Sequence, residues 1–334
     1  MREQPETRPL GYYYGIEYDI LNLAPSPHTS LQTRPNAVWN QRSSQNERAA
    51  ARLPDGLRIY AIGDIHGRAD LLESLLLQID VDCKLYPSRR PIVVFVGDYI
   101  DRGPASREVL DLLLGRERTK ETIFLRGNHE TFVHRFLSEP AVLDEWRLCG
   151  GLETLVSYGL KPSINPDAFE RARLAKELAK SIPKRHLEFL ESLNLSFNCG
   201  DFLFVHAGIR PGVPIRKQSE EDLLWIREEF LSCEQRFEKF VVHGHTPVRT
   251  TDIRSNRINI DTGAFATGRL TCIVIEGTSI VELIDVRDWI RNAASIRVAQ
   301  NAQTRIEPAA RSCLNRSGAS NKRVPDLFRM GNDS

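Results

Sequence analysis

Asp64 and His66, Asp98 and Asp101 with Arg102, Asn128 and His129, then His206 and His245 are side chains that bind cations, carry protons or hold anions. They arrive in small groups, and each group ends an apolar run with glycine beside it. LRIYAIG leads into Asp64-Ile-His66-Gly67, and VVFVG leads into Asp98. TIFLRG leads into Asn128-His129-Glu130, DFLFV into His206-Ala-Gly208, and KFVVHG into His245-Thr-Pro247. One such ending is ordinary turn chemistry. Five of them, in a chain with only 8 histidines, are more than composition gives by accident. Ligands of open α/β sheets bind outside the carboxyl ends of the strands, so these endings are predicted to meet in one crevice. The glycines let the backbone turn sharply and approach closely there.

The donors are oxygen and imidazole, with no thiolate. That set suits Mn2+, Fe or Zn2+ rather than a structural zinc. Asp64, His66, Asp98, Asn128, His206 and His245 are more ligands than one tetrahedral ion needs. Two divalent ions sharing a bridging carboxylate would use them all. Ions about 3.5–4 Å apart clamp the attacking and leaving oxygens of an in-line phosphoryl displacement, and a water between them is a hydroxide near neutral pH. Other templates are missing: there is no GxxxxGK[ST] phosphate loop, no GxGxxG opening a helix, no HExxH and no GxSxG.

The elements that must position these groups are legible in the apolar pattern. LRIYAI, PIVVFV, TIFL, DFLFV, KFVV, RINI, LTCIVIE and SIVELIDV read as strands. ADLLESLLLQI, SREVLDLLL, HETFVHRFL, AFERARLAKELAKSI and KRHLEFLESL read as helices, the last with Pro183 at its first turn. Early strand–helix alternation followed by strands predicts mixed sheets with outer helices, an α/β chain of mixed type.

The 334 residues carry a formal net charge of +1, with 41% hydrophobic and 27% charged residues. That is a globular composition with no global field drawing it to nucleic acid or to a membrane. The 6 cysteines are scattered without a CxxC pair, which predicts reduced thiols and a cytoplasmic setting. There is no apolar run long enough to span a bilayer. Residues 1–55 read as an irregular extension, with YYYGIEYDI as a docked segment and a short helix near QNERAAARL. Residues 56–288 read as the catalytic domain, and 289–334 as a basic, disordered tail.

GDIHG (63–67), GDYIDRG (97–103) and RGNHE (126–130) resemble the three signature blocks of the PPP-type serine/threonine phosphoprotein phosphatases, within the calcineurin-like metallophosphoesterases. CGGLETLVSYG (149–159), FVHAG (204–208), LLWIRE (223–228), VHGHTP (242–247) and IDTGAF (260–265) are similar to the bacterial branch that includes the phage lambda phosphatase. The resemblance implies a four-layer αββα sandwich of two mixed sheets flanked by helices. It implies two divalent metal ions, with Mn2+ the first expectation. One would be held by Asp64, His66 and a bridging Asp98, the other by Asp98, Asn128, His206 and His245. It also implies His129 as general acid oriented by Asp101. Arg102 and Arg227, with Asn128 beside them, would grip the phosphate. His243 is expected to support His245 rather than replace it.

The activity so implied is a protein serine/threonine phosphatase, a monomer acting on a phosphoprotein or small phosphoester. The alternative is a bis(5'-nucleosyl)-tetraphosphatase-like nucleotide hydrolase. Relatives of that second kind usually lack an aspartate at the position of Asp101, so its presence favours the first. A metal-bound scaffold without catalysis is disfavoured because every expected residue is present.

Overall fold

The alternation along the strands decides which layer each residue enters. In β1 (Leu57–Ile62), Ile59 and Ala61 face one apolar layer while Tyr60 and Ile62 face another. Strand β2 (Arg90–Phe95) repeats this, with Ile92 and Val94 on the first side and Val93 and Phe95 on the second. In β5 (Phe202–Val205), Phe202 and Phe204 join the first layer, and Leu203 and Val205 enter a third. A strand that is buried on both faces reads as a continuous apolar run, which is why these segments lack polar alternation.

The structure is a computed structural model that describes residues 50–118 and 120–287. The remaining strands are β3 (Thr122–Phe124), β4 (Ser196–Cys199), β6 (Phe240–His243), β7 (Asp252–Ile253), β8 (Arg257–Asn259), β9 (Arg269–Glu276) and β10 (Ser279–Arg287). They form two five-stranded sheets, ordered β10-β9-β1-β2-β3 and β4-β5-β6-β8-β7. Both are mixed: β1, β2 and β3 run parallel, as do β5, β6 and β8, with antiparallel strands beside them. The layer between the sheets holds Ile59, Ala61, Val94, Val96, Phe204, Val242 and Ile273.

Helices α1 (Ala69–Leu85), α2 (Ser106–Glu117), α3 (Thr131–Ser138), α4 (Leu143–Trp146), α5 (Gly151–Ser157), α6 (Ala168–Ser181) and α7 (Lys184–Ser192) contribute the layer outside the first sheet. Helices α8 (Glu220–Trp225) and α9 (Glu228–Leu231) help cover the second sheet, and α10 (Ala264–Thr267) precedes β9. Helix α6 starts at Asp167, whose side chain accepts the Glu170 N–H at 2.7 Å. Pro183 stands one place earlier than expected, as the cap of α7 rather than in its first turn.

Two mixed sheets flanked by helices match the expected architecture. Helix α1 runs six residues beyond the LLESLLLQI stripe, and α5 and β4 were not foreseen at all. The YYYGIEYDI segment and the tail lie outside the described residues, as does most of QNERAAARL; Ala50–Leu53 are not helical. Among the described residues no helix is long and apolar enough to cross a membrane.

Candidate metal centre and active site

Strands β1, β2, β3, β5 and β6 end where the sequence changes from apolar to coordinating residues. Ile65 and His66 both donate their N–H groups to the Asp98 carbonyl, at 3.1 and 2.9 Å, which ties the first two loops together. Among the described residues five non-glycine residues have positive φ: His66, Asp98, Asp101, Arg102 and His245. All five belong to the groups singled out by sequence. Each such backbone costs about 1 kcal/mol or more and persists only where its surroundings over-determine it. The glycines beside them allow contacts that a side chain would block. A Cβ at Gly244 would lie 2.0 Å from Asp64 Oδ1, and one at Gly127 would lie 2.1 Å from Asp98 Oδ1.

Two clusters of potential ligands result, and Asp98 belongs to both: His66, Asp98 and His129 in one, and Asp98, His206 and His245 in the other. His66 Nδ1 lies 2.9 Å from the Ile100 carbonyl and His206 Nδ1 lies 2.9 Å from the Val96 carbonyl. Each is therefore the donor nitrogen, and each Nε2 presents a lone pair to the cavity. His66 Nε2 is 3.4 Å from Asp98 Oδ2, and His206 Nε2 is 3.4 Å from Asp98 Oδ1. Asn128 Oδ1 stands 3.0 Å from His206 Nε2 and 2.9 Å from His245 Nδ1. Asp64 lies beside these clusters rather than within either; its Oδ2 accepts the His245 N–H at 3.0 Å, and its Oδ1 has no hydrogen-bond partner. His243 is in neither cluster: its ring packs edge-on against Phe230, 4.9 Å between centroids.

The titration behaviour fits a cation cage. Burial pushes His66, His206 and His245 below their ordinary value, so they are neutral imidazoles at neutral pH. Burial raises the Asp64 carboxyl well above its usual range, and the neighbouring Asp261 and Asp98 raise it further. Burial likewise lifts Asp261 to about 6. Neutral imidazole lone pairs, an orphaned carboxylate oxygen and crowded acids all gain from positive charge placed among them. The donor set therefore fits divalent cations.

His129 is oriented separately. Its Nδ1 lies 2.7 Å from Asp101 Oδ2, and its Nε2 lies 3.7 Å from Asp98 Oδ2. Asp101 also accepts the Trp146 indole N–H at 2.8 Å and the Thr154 hydroxyl at 2.6 Å. Arg102 Nη1 stands 3.1 Å from His66 Nε2, and Arg227 Nη1 is 3.3 Å from Thr246 Oγ1.

Sequence reasoning missed Glu130. Its buried carboxylate accepts backbone N–H groups from Gly127, Tyr99 and Asp98 at 2.8, 2.8 and 3.0 Å. It thereby fixes the left-handed turn that presents Asp98. Burial and the Asp98 charge raise Glu130 to about 8, against the pull of these three donors. The converging N–H groups favour the ionised form, and a cation beside Asp98 would remove the main charge opposing it. Its place in RGNHE was the available signal. Thr154 had a like signal in its place within CGGLETLVSYG, whereas Trp146 carried none, because its value lies wholly in what it touches.

Residues 57–269 match the model of the calcineurin-like phosphoesterases. The chain is 28% identical over 235 residues to the asymmetrical bis(5'-nucleosyl)-tetraphosphatase PrpE of Oceanobacillus iheyensis, covering 64% of this chain and 87% of that one. The enzyme of the same name from Bacillus subtilis is 28% identical over 231 residues, covering 63% and 87%. A crystal structure provisionally assigned as a diadenosine tetraphosphatase superposes with a TM-score of 0.50 at 21% identity, covering 72% of this chain and 99% of that one; that likeness concerns the fold.

Proposed function

The chain belongs to the calcineurin-like phosphoesterases and is a phosphoester-hydrolysing enzyme, and from that premise we propose that it cleaves nucleoside polyphosphates, as a bis(5'-nucleosyl)-tetraphosphatase-like hydrolase with two divalent cations, Mn2+ among them. The observation that carries this reading is the likeness, across 87% of their length, to relatives named for that activity. It reverses the order reached from sequence alone, where Asp101 weighed for a protein phosphatase.

In this reading Asp64, His66 and Asp98 hold one cation, and Asp98, Asn128, His206 and His245 hold the other. Bound there, the pair supplies an activated water and neutralises charge on the phosphate. The chain's residues do the rest. Arg102 and Arg227 orient the phosphoryl oxygens with planar guanidinium groups. Asp101, held by Trp146 and Thr154, keeps the His129 Nδ1 proton in place. The opposite nitrogen, Nε2, then carries the proton that passes to the leaving oxygen as its bond to phosphorus breaks. Gly127 and Gly244 leave room for Asp98 and Asp64 at the rim.

The pairing of His129 with Asp101 supports a second reading, a protein serine/threonine phosphatase, because an alkoxide leaving group needs protonation more than a phosphate does. One Mn2+-loaded sample offered diadenosine tetraphosphate and a phosphoserine peptide separates them. Release of nucleotides at the higher kcat/KM is expected. Peptide dephosphorylation without dinucleotide cleavage would install the second reading.

A further inference from the structure

The loops at the carboxyl ends of the strands carry several arginines. Arg102 and Arg227 stand at the centre itself. Arg68, Arg126 and Arg210 are closed on carboxylates, meeting Asp70 at 2.6 Å, Glu220 at 3.2 Å and Asp222 at 2.5 Å. Arg249 follows neither pattern: it is exposed, and its guanidinium has no partner among the described residues. The backbone that carries it is nevertheless held. The Arg249 carbonyl accepts from Arg269 Nη1 at 3.1 Å, the Val248 N–H donates to the Asp261 carbonyl at 2.9 Å, and the Thr246 carbonyl accepts from Asn259 Nδ2 at 2.7 Å. The topology puts this segment on the rim. Residues 244–251 leave the carboxyl end of β6 and enter β7, whose Asp252 pairs with Asn259 at the carboxyl end of β8. Strand β8 runs parallel to β6, so the segment starts and finishes on the edge that carries His206 and His245. Arg269 opens β9, which is antiparallel to β1, and so lies beside the strand end that leads to Asp64.

A solvated arginine far from any site would be ordinary. This one is rooted on the rim, three residues beyond Thr246, whose hydroxyl lies 3.3 Å from Arg227 Nη1. A tetraphosphate carries negative charge on every phosphate, and the metal pair with Arg102 and Arg227 attends the one under attack. The remaining phosphates need a cation farther along the same edge, and a planar, permanently charged group suits them. We propose that Arg249 is a distal phosphate subsite: its guanidinium holds the phosphates beyond the one under attack and thereby selects polyphosphates over monoesters. The inference rests on the nucleotide-hydrolase reading above. It adds the course of the chain, which runs from the metal centre past Arg227 and Thr246 towards the loop before β7.

The competing explanation is that Arg249 is a solvated surface residue, or that it raises the local potential for every anion alike. The test compares Arg249→Gln and Arg249→Lys with the unaltered Mn2+-loaded enzyme on diadenosine tetraphosphate and on p-nitrophenyl phosphate, which has a single phosphate. Arg249→Gln should lower kcat/KM for the dinucleotide about tenfold, mostly through KM, and lose less than about twofold on the monoester. Arg249→Lys should recover part of the loss, because the charge remains while the planar fork is gone. Inhibition constants should move the same way, with ATP about tenfold weaker in Arg249→Gln and AMP unchanged. Full dinucleotide activity in Arg249→Gln would overturn the proposal, and so would equal losses on both substrates and both inhibitors. Either result leaves the nucleotide reading intact. An unaltered enzyme that hydrolyses p-nitrophenyl phosphate and a phosphoserine peptide but not the dinucleotide would remove that reading, and this inference with it.

Discussion

At its amino end β1 buries Arg58 with Tyr60 and Asp82, the half-buried Glu276 beside them; beyond its carboxyl end it delivers Asp64 and His66 to the rim. Both clusters are charged and both are built on buried side chains. In the first, Arg58 Nε meets Asp82 Oδ2 at 2.9 Å and Tyr60 Oη at 3.1 Å, while Nη1 meets Glu276 Oε2 at 3.0 Å. Donors face acceptors, opposite charges alternate, and the backbone is regular strand and helix. At the rim, two acceptors face each other, His206 Nε2 and the Asn128 amide oxygen at 3.0 Å, and His245 Nδ1 stands within 3.1 Å of both. The backbone there is left-handed at five non-glycine residues. A cluster that exists for the fold closes its own hydrogen bonds. A cluster that leaves them open, and is held in strain, is shaped for something that arrives later.

Substitutions at the two ends should part along this line. Asp98→Asn keeps the shape, and asparagine tolerates the left-handed backbone, so the fold should survive. Removing the shared charge should empty both metal positions and cut kcat by about 10^3-fold or more, read by elemental analysis beside turnover. Full two-metal content in that variant would break the assignment of Asp98 as bridge. His129→Asn should retain the metals and slow a phosphoserine substrate about 10^2-fold or more, with a smaller loss on the dinucleotide, whose leaving phosphate needs less protonation. Losses of equal size would remove the general-acid role.

The next contrast is subtler. Glu130→Gln should weaken metal affinity about 10- to 100-fold, because the turn presenting Asp98 loses an acceptor. Asp82→Asn should lower stability by about 2 kcal/mol through the lost charged hydrogen bonds to Arg58 and Tyr60, while metal content and kcat per folded molecule stay unchanged. A change in metal affinity for Asp82→Asn would blur the distinction between the two ends.

The smallest effect concerns acid. Burial pushes His243 down to about 3, below its ordinary 6.5. The unfolded chain therefore takes up this proton first as pH falls. The stability it contributes is full above 6.5 and is lost progressively towards 3. At pH 5.5 the loss amounts to about 1 kcal/mol for this residue. His243→Gln should flatten the dependence of Tm on pH between 7 and 5.5, and an unchanged slope would place the acid sensitivity elsewhere.

The rim was readable in sequence because its signals are local. An apolar run, a glycine and a coordinating side chain sit within a few residues of one another, and a parallel sheet then gathers the strand ends without further instruction. The residues that hold the rim in place are not local. Glu130 works through backbone N–H groups whose directions exist only after the turn has formed. Trp146 and Thr154 reach Asp101 across 45 and 53 positions of chain. The short strand β4 was lost for a similar reason: Ser196–Cys199 has little apolar pattern and is specified by its pairing with β5.

Asp98 and Asn128 come from the first sheet, whereas His206 and His245 come from the second. An ion seated among these four would act as a rivet through the seam of the sandwich. Chelation would then withdraw a mechanical fastener as well as a reagent, and the sheets would be freest to slide where the chemistry demands the finest alignment.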